Sequence, residues 1–320
     1  MGFRTDQVPV SPAPESFGIS LEELRALVRR ALAEDLGAGD WTTKWTVEPD
    51  ARASGTFISQ QETVVAGLRV AAEVFRELDP AVRFEALVED GAEVKAGTAL
   101  AAVHGPAAAL LGGERVALNF LQHLSGIATL TRRFKEQLAG LKTELLDTRK
   151  TTPGLRLLEK YAVRMGGGKN HRLRLDDGLL IKNNHLRLAG GVRAALERAN
   201  RPPSSKLAIE IEVSNAEELE EAIAAGAGRV LLDNMTPGMV KQCVALARQL
   251  TDRVKLEVSG GVTLANIRAY GEAGADFISV GALTHSAPAA AMHFLIEPDE
   301  GTDRRPSVGA KRRRKAARTK

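Results

Sequence analysis

The sequence has a single cysteine, Cys243, among 320 residues. One thiol excludes an intramolecular disulfide framework and a zinc cluster built on cysteines, and it points to a reducing, cytoplasmic setting. There is no run of eighteen apolar residues, so no transmembrane helix and no membrane partner are expected. The first residues lack the charged-then-apolar pattern of an export signal, because prolines and acids interrupt them. No metal-ligand spacing links His104, His123, His185, His285 and His293, which are read as structural. No RNA- or DNA-binding motif is visible.

What is present describes an ordinary globular chain, 44% hydrophobic and 26% charged, long enough for more than one domain. The formal charge of +4 is uneven. Residues 299–320 carry nine Lys and Arg against three acids, so the body of the chain is slightly acidic. With almost no apolar side chains, that segment cannot offset its ordering entropy. Residues 298–320 are therefore expected to be a disordered basic tail, solvated and at most a weak polyanion binder. Residues 1–17, with Pro9, Pro12 and Pro14, are expected to be a flexible extension.

A first helix fits Ser20 to Leu36. Ser20 can cap it, Glu23 stands at capping-box spacing, and Leu21, Leu24, Leu27, Val28 and Leu32 recur at helical period. Trp41 and Trp45, four apart, share one helical face. From Ala53 to Val103 short strand-like runs surround one helix at 67–78. Residues 107–138 read as helical, with Gly112, Gly113 and Gly126 as interruptions. Cys243 lies in an apolar helical stretch and is read as core.

After residue 140 a regular alternation begins. Strand-like runs at 144–147, 179–182, 207–213, 229–233, 254–258 and 276–280 are separated by helices. One helix starts near Asn215, another at Thr236-Pro237, a third at Thr263. Strands separated by single helices make parallel βαβ units. Six in succession, with no glycine-rich nucleotide fingerprint after the first, predict a closed or nearly closed α/β barrel. A doubly wound open sheet is the alternative.

Position then carries the functional reading, because barrel active sites lie at the C-terminal ends of the strands. The first strand ends in Asp147-Thr148-Arg149-Lys150 and the second in Lys182-Asn183-Asn184-His185. The third carries Glu210 and Glu212, which face the same side. The fourth ends in Asp233-Asn234, the fifth in Ser259-Gly260-Gly261, the sixth in Gly281. Between the first two strands lies Gly166-Gly-Gly-Lys-Asn-His171-Arg172. Arg149, Lys150, His171, Arg172 and Lys182, with Arg115 as a further member, form a basic cluster. Such a cluster is tolerable when the ligand is a polyanion. The late glycine loops suit a phosphate, and Glu212 with Asp233 suit a metal, a ribose or a cationic transition state. The residues alone thus describe a ligand with phosphate and further acidic groups, together with Mg²⁺.

Eight ordered motifs then resemble one family. They run from Gly113-Glu-Arg-Val-Ala-Leu-Asn through Leu146-Asp-Thr-Arg-Lys-Thr-Thr-Pro-Gly-Leu-Arg and Gly166-Gly-Gly-Lys-Asn-His-Arg. They continue with Leu180-Ile-Lys, Glu210-Ile-Glu-Val, Leu232-Asp-Asn-Met and Glu257-Val-Ser-Gly-Gly, and Val280-Gly-Ala-Leu-Thr-His-Ser extends the series. Over about residues 20–297 the chain resembles the quinolinate phosphoribosyltransferases, or carboxylating nicotinate-nucleotide pyrophosphorylases. The resemblance implies an N-terminal α/β sandwich domain over 18–127, completed by about 284–297, and an incomplete α/β barrel over 128–283. It implies transfer from phosphoribosyl pyrophosphate (PRPP) to quinolinate with loss of CO₂ in NAD synthesis, with Mg²⁺. It also implies a homodimer or larger homo-oligomer, in which Arg115 is donated across the interface. Arg149, His171 and Arg172 resemble the groups that hold the quinolinate carboxylates, and Lys150 and Lys182 those that meet PRPP phosphates and substrate. Glu212 and Asp233 resemble the acids near ribose and metal, the latter through water. Ser259, Gly260, Gly261 and Gly281 resemble the 5′-phosphate loops. Lys150, Glu212 and Asp233 are the candidate catalytic residues. Two departures stand out: Asn183 where the family commonly has aspartate, and Arg174 where it commonly has glycine.

Overall fold

Two separate sheets absorb most of the strands. The computed structural model describes residues 18–200 and 207–299. The expectations for residues 1–17 and 300–320 lie outside the described residues.

The N-terminal part begins with α1 (Leu21–Leu36). Its Ser20 and Glu23 form the full capping box, which satisfies donors that a helix start leaves open. There follow α2 (Trp41–Thr46), β1 (Arg52–Ser59), β2 (Thr63–Val64), α3 (Leu68–Leu78), β3 (Arg83–Ala86), β4 (Glu93–Val94), β5 (Ala99–Pro106) and α4 (Ala107–Gln137). Strands β1, β5 and β3 build an antiparallel sheet. The last strand, β12 (Met292–Pro298), returns from the far end of the chain to pair with β1 along seven residues. β12 runs through Pro298, and the Asp299 N–H donates to Arg52, so ordered chain extends past the expected start of the tail. Phe57, Phe75, Phe84 and Phe294 cluster between this sheet and α3.

Helix α4 departs from expectation. It is one helix of 31 residues, and the glycines do not interrupt it. Gly113 and Gly126 permit close approach instead. A Cβ at Gly113 would lie 2.7 Å from the Phe75 ring, and one at Gly126 would lie 2.1 Å from the Pro288 carbonyl oxygen. Each glycine costs a helix about 1 kcal/mol relative to alanine, and here that cost is offset by packing no larger residue allows.

The second part alternates strands with helices, two of them between β7 and β8: β6 (Glu144–Leu146), α5 (Arg156–Met165), β7 (Leu179–Ile181), α6 (Asn183–Ala189), α7 (Val192–Ala199), β8 (Ile209–Val213), α8 (Ala216–Ala224), β9 (Arg229–Asp233), α9 (Pro237–Leu250), β10 (Lys255–Ser259), α10 (Ile267–Glu272), β11 (Phe277–Ser279) and α11 (Ala282–His285). The strand order is β6-β11-β10-β9-β8-β7, and every pairing is parallel. Strand succession therefore runs one way around the sheet and returns the last strand to the first. That is an incomplete α/β barrel, open between β6 and β7, and it displaces the doubly wound alternative, whose order would reverse at a switch point. The third predicted helix starts at Ile267 rather than Thr263, because Asn266 accepts from the Thr263 N–H and closes a turn first. Cys243 is buried, as read. Trp41 and Trp45 do share a face, with ring centroids 5.5 Å apart, and both are exposed. Among the described residues, no helix is long and apolar enough to cross a membrane.

Candidate active site

Strand ends β6 to β11 converge on a cleft of about 410 Å³. Ten of the residues named from sequence line it: Arg149, Lys150, His171, Arg172, Lys182, Glu212, Asp233, Ser259, Gly260 and Gly261. Gly281 adjoins them, since a Cβ there would lie 3.0 Å from Lys150 Cδ. Arg115 is not among the cleft residues; it is exposed on α4.

The cations of the cleft share one property. Among the described residues, no carboxylate comes within ion-pair distance of Arg149, Lys150 or Arg172, and Lys182 has only Glu212 at 3.9 Å. The Nε groups of Arg149 and Arg172 are buried and have no hydrogen-bond partner. Burial, and then the positive charge of Arg149, lower the affinity of Arg172 for its proton. Arg172 Nη1 donates to the Gly178 carbonyl at 2.7 Å, but two guanidinium groups held close, with buried Nε atoms and no acid beside them, are costly in an empty protein. They become favourable when a planar polyanion supplies the missing acceptors.

On the opposite wall, Glu212 and Asp233 end neighbouring strands. Burial first, then the charge of Asp233, push the Glu212 carboxyl above its usual range. The turn beyond them is built for close backbone approach. Asn234 is the one non-glycine among the described residues with positive φ (55°). Gly260 has φ 92°, and a Cβ there would strike Asn234 Oδ1 at 2.2 Å. Only glycine meets both demands. Gly261 follows at φ 64°, with open space where its Cβ would be.

The floor of the cleft was not foreseen. His171 Nδ1 accepts from the Arg172 N–H at 2.7 Å, which places the ring proton on Nε2, 3.0 Å from Glu210. His171 therefore lines the cleft with both ring nitrogens engaged, and it orients Arg172. Arg229 donates to Glu210 at 3.0 Å and also pairs with Glu257. His171, Glu210 and Glu257 offer ligand atoms within 4.8 Å of one another. The Arg229 guanidinium pairs with both carboxylates, one positive charge against two acids, and the buried Glu257 Oε1 has no hydrogen-bond partner. Burial works against ionising Glu210, but the His171 hydrogen bond and the Arg229 charge overcome it and hold the carboxyl below its usual range. Burial and then the Glu210 charge push Glu257 above it. Of the two glutamates on β8, Glu212 has a lysine beside it, Lys182 at 3.9 Å, whereas Glu210 pairs with His171 and Arg229. The available signal was charge on inward positions of apolar strands: Arg229 alternates with Leu231 and Asp233, Glu257 with Ser259.

Asn183 and Arg174 sit at the margin. The Asn183 side chain faces Ser214 Oγ at 3.4 Å, and its N–H points to Glu212 at 3.5 Å. Arg174 is exposed on a bend.

Comparison with known proteins decides the family. Residues 127–294 match the model of the quinolinate phosphoribosyl transferase C-terminal domain, and residues 40–125 match that of the N-terminal domain. The chain belongs to the quinolinate phosphoribosyltransferase family. A "Probable nicotinate-nucleotide pyrophosphorylase [carboxylating]" of Synechocystis is 46% identical over 248 residues, 78% of this chain and 84% of the relative. The Mycobacterium leprae nicotinate-nucleotide pyrophosphorylase [carboxylating] is 43% identical over 265 residues, 82% of this chain and 93% of the relative. The solved nicotinate-nucleotide pyrophosphorylase of Francisella tularensis superposes with a TM-score of 0.82 at 39% identity, covering 92% of this chain and all of that one. Both matched domains of this phosphoribosyltransferase fold meet inside α4, where the first match ends at 125 and the second begins at 127.

Proposed function

We propose that the cleft holds quinolinate and PRPP side by side and joins them. The chain transfers the phosphoribosyl group of PRPP to quinolinate with decarboxylation, giving nicotinate mononucleotide, pyrophosphate and CO₂ in NAD synthesis. The observation that carries the site assignment is the pair of buried, unpartnered arginine Nε groups, on Arg149 and Arg172. A dicarboxylate supplies the planar acceptors they lack.

In this reading, Arg149 and Arg172 hold the carboxylates, and His171 fixes Arg172 rather than offering a free N–H. Lys150 and Lys182 take phosphate oxygens as point charges. Gly260, Gly261, Ser259 and Gly281 let the backbone approach the 5′-phosphate. Glu212 and Asp233 face the ribose, where their charge stabilises the cationic character that develops at C1 as pyrophosphate departs. The quinolinate nitrogen attacks C1 as pyrophosphate leaves, the positive ring nitrogen stabilises the electron pair left on the adjacent ring carbon when its carboxylate departs as CO₂, and that carbon takes up a proton from solvent to give the product.

The same two acids form a hard-oxygen donor set whose mutual repulsion a divalent cation would relieve. They would hold Mg²⁺ through water, and the ion would supply neutralisation of the pyrophosphate charge. Arg115, exposed and outside its own cleft, is assigned to the cleft of a second copy in a homodimer or larger assembly. A cytoplasmic setting accords with one free, buried thiol. Purified protein with quinolinate, PRPP and Mg²⁺ is expected to form nicotinate mononucleotide, and nicotinate is expected to give none. Product from nicotinate, or from neither, would overturn the assignment.

A further inference from the structure

Three residues on one face of α5 bind the two loops that carry the cleft cations, and none of the three is among the residues that line the cleft. Arg156, Glu159 and Lys160 stand at i, i+3 and i+4, so their side chains rise together from the helix. The first loop, residues 148–152, carries Arg149 and Lys150. Glu159, fully buried, accepts the Thr152 N–H at 3.0 Å, and its other oxygen meets His123 Nε2 of α4 at 2.9 Å. The second loop, residues 166–173, carries His171 and Arg172. Lys160, 2% exposed, donates to the His171 carbonyl at 3.0 Å and pairs with Asp147, at the end of β6. Asp147 in turn accepts the His171 N–H at 2.8 Å and the Asn170 amide at 2.6 Å. Arg156 reaches both loops: Thr151 Oγ1 at 3.0 Å and the Arg149 carbonyl at 3.5 Å on one side, the Leu173 carbonyl at 3.2 Å on the other.

These contacts cross the opening between β6 and β7, where the two strands do not pair and one parallel bridge, Leu146 to Lys169, ties the second loop to β6. The Lys169 N–H donates to the Leu145 carbonyl at 2.8 Å and the Asp147 N–H to the Lys169 carbonyl at 3.1 Å; beyond that bridge, buried ionic side chains hold the loops, at a desolvation cost that a packed apolar face would avoid.

We propose that Arg156, Glu159 and Lys160 are positioning residues: α5 acts as a jig that sets the Arg149–Lys150 loop against the His171–Arg172 loop, and so fixes the spacing at which the two carboxylates of the diacid are gripped. This rests on the assignment of quinolinate to the cleft. The two arms of the jig serve different ligands. The Glu159 arm holds a loop that meets both substrates, through Arg149 and Lys150. The Lys160 arm holds a loop that meets quinolinate alone.

The test is steady-state kinetics on the full chain, with KM for each substrate and a melting curve for every variant. Glu159→Met is expected to raise KM for both quinolinate and PRPP by about tenfold, and Glu159→Gln, which retains an acceptor for Thr152, to restore both to within about threefold. The charge-neutral pair Asp147→Asn with Lys160→Met is expected to raise quinolinate KM about tenfold while PRPP KM stays within about twofold. Arg156→Met, which leaves no buried acid uncompensated, is the variant least at risk of unfolding and is expected to raise both KM values. Equal losses in Glu159→Met and Glu159→Gln would overturn the proposal, as would KM values unmoved in Arg156→Met. Parallel changes for both substrates in the Asp147/Lys160 variant, tracking a lost melting transition, would overturn the division of labour. A wild-type protein inactive on quinolinate would defeat the underlying assignment instead.

Discussion

The two ends of the barrel hold similar numbers of cations and treat them in opposite ways. At the N-terminal ends of the strands lies a cavity of about 490 Å³, larger than the cleft; it shares His171 and Arg172 with the cleft, and the cations it does not share include Lys160, Lys169 and Arg229. Each of these is paired, with Asp147, Glu144 and the two glutamates Glu210 and Glu257. At the C-terminal ends, Arg149, Lys150 and Arg172 have no acid within ion-pair distance among the described residues. Size favours the first cavity, but uncompensated charge favours the second. Charge decides, because a protein tolerates close, unneutralised, desolvated cations only where a ligand completes them.

The contrast can be broken from either side. The largest effect on folding is expected from Lys160→Met, which strands the buried Asp147 carboxylate and should cost about 3–5 kcal/mol in chemical denaturation. Burial already pushes the Asp147 carboxyl up and the Lys160 ammonium down, so neither charge is sustained without the other. The largest effect on activity is expected from Arg149→Ala, a loss of kcat/KM of about 100-fold or more, read in the quinolinate assay with the melting point unchanged or raised. Gly260→Ala comes next. Its positive φ and the Asn234 contact should cost about 1–3 kcal/mol of stability or be relieved by loop movement, and in either case PRPP KM should rise. Lys169→Ala, breaking a largely exposed pair with Glu144, should change stability by less than about 1 kcal/mol and leave activity untouched.

Much of this was legible in the sequence, for identifiable reasons. The strands of the barrel showed themselves through period and helix caps, and Thr236-Pro237 and Asn215 start helices as their chemistry requires. The residues lining the cleft were legible because barrel topology converts strand ends into one surface. Gly113 and Gly126 misled because propensity marks a glycine as a break, whereas Phe75 and Pro288 lie far away in sequence and decide otherwise. The jig on α5 escaped notice for the same reason: Glu159 and Lys160 read as ordinary helix charges until the loops fold over them. The role of His171 changed too, because its Nε2 is taken up by Glu210, a residue 39 positions away.

The most direct test of the contrast is to measure melting temperature and quinolinate kcat/KM together in Arg149→Ala. The account predicts a melting temperature equal to or above that of the wild type, with quinolinate turnover lost. A lowered melting temperature with turnover preserved would show that Arg149 serves the fold and not the substrate, and would contradict it.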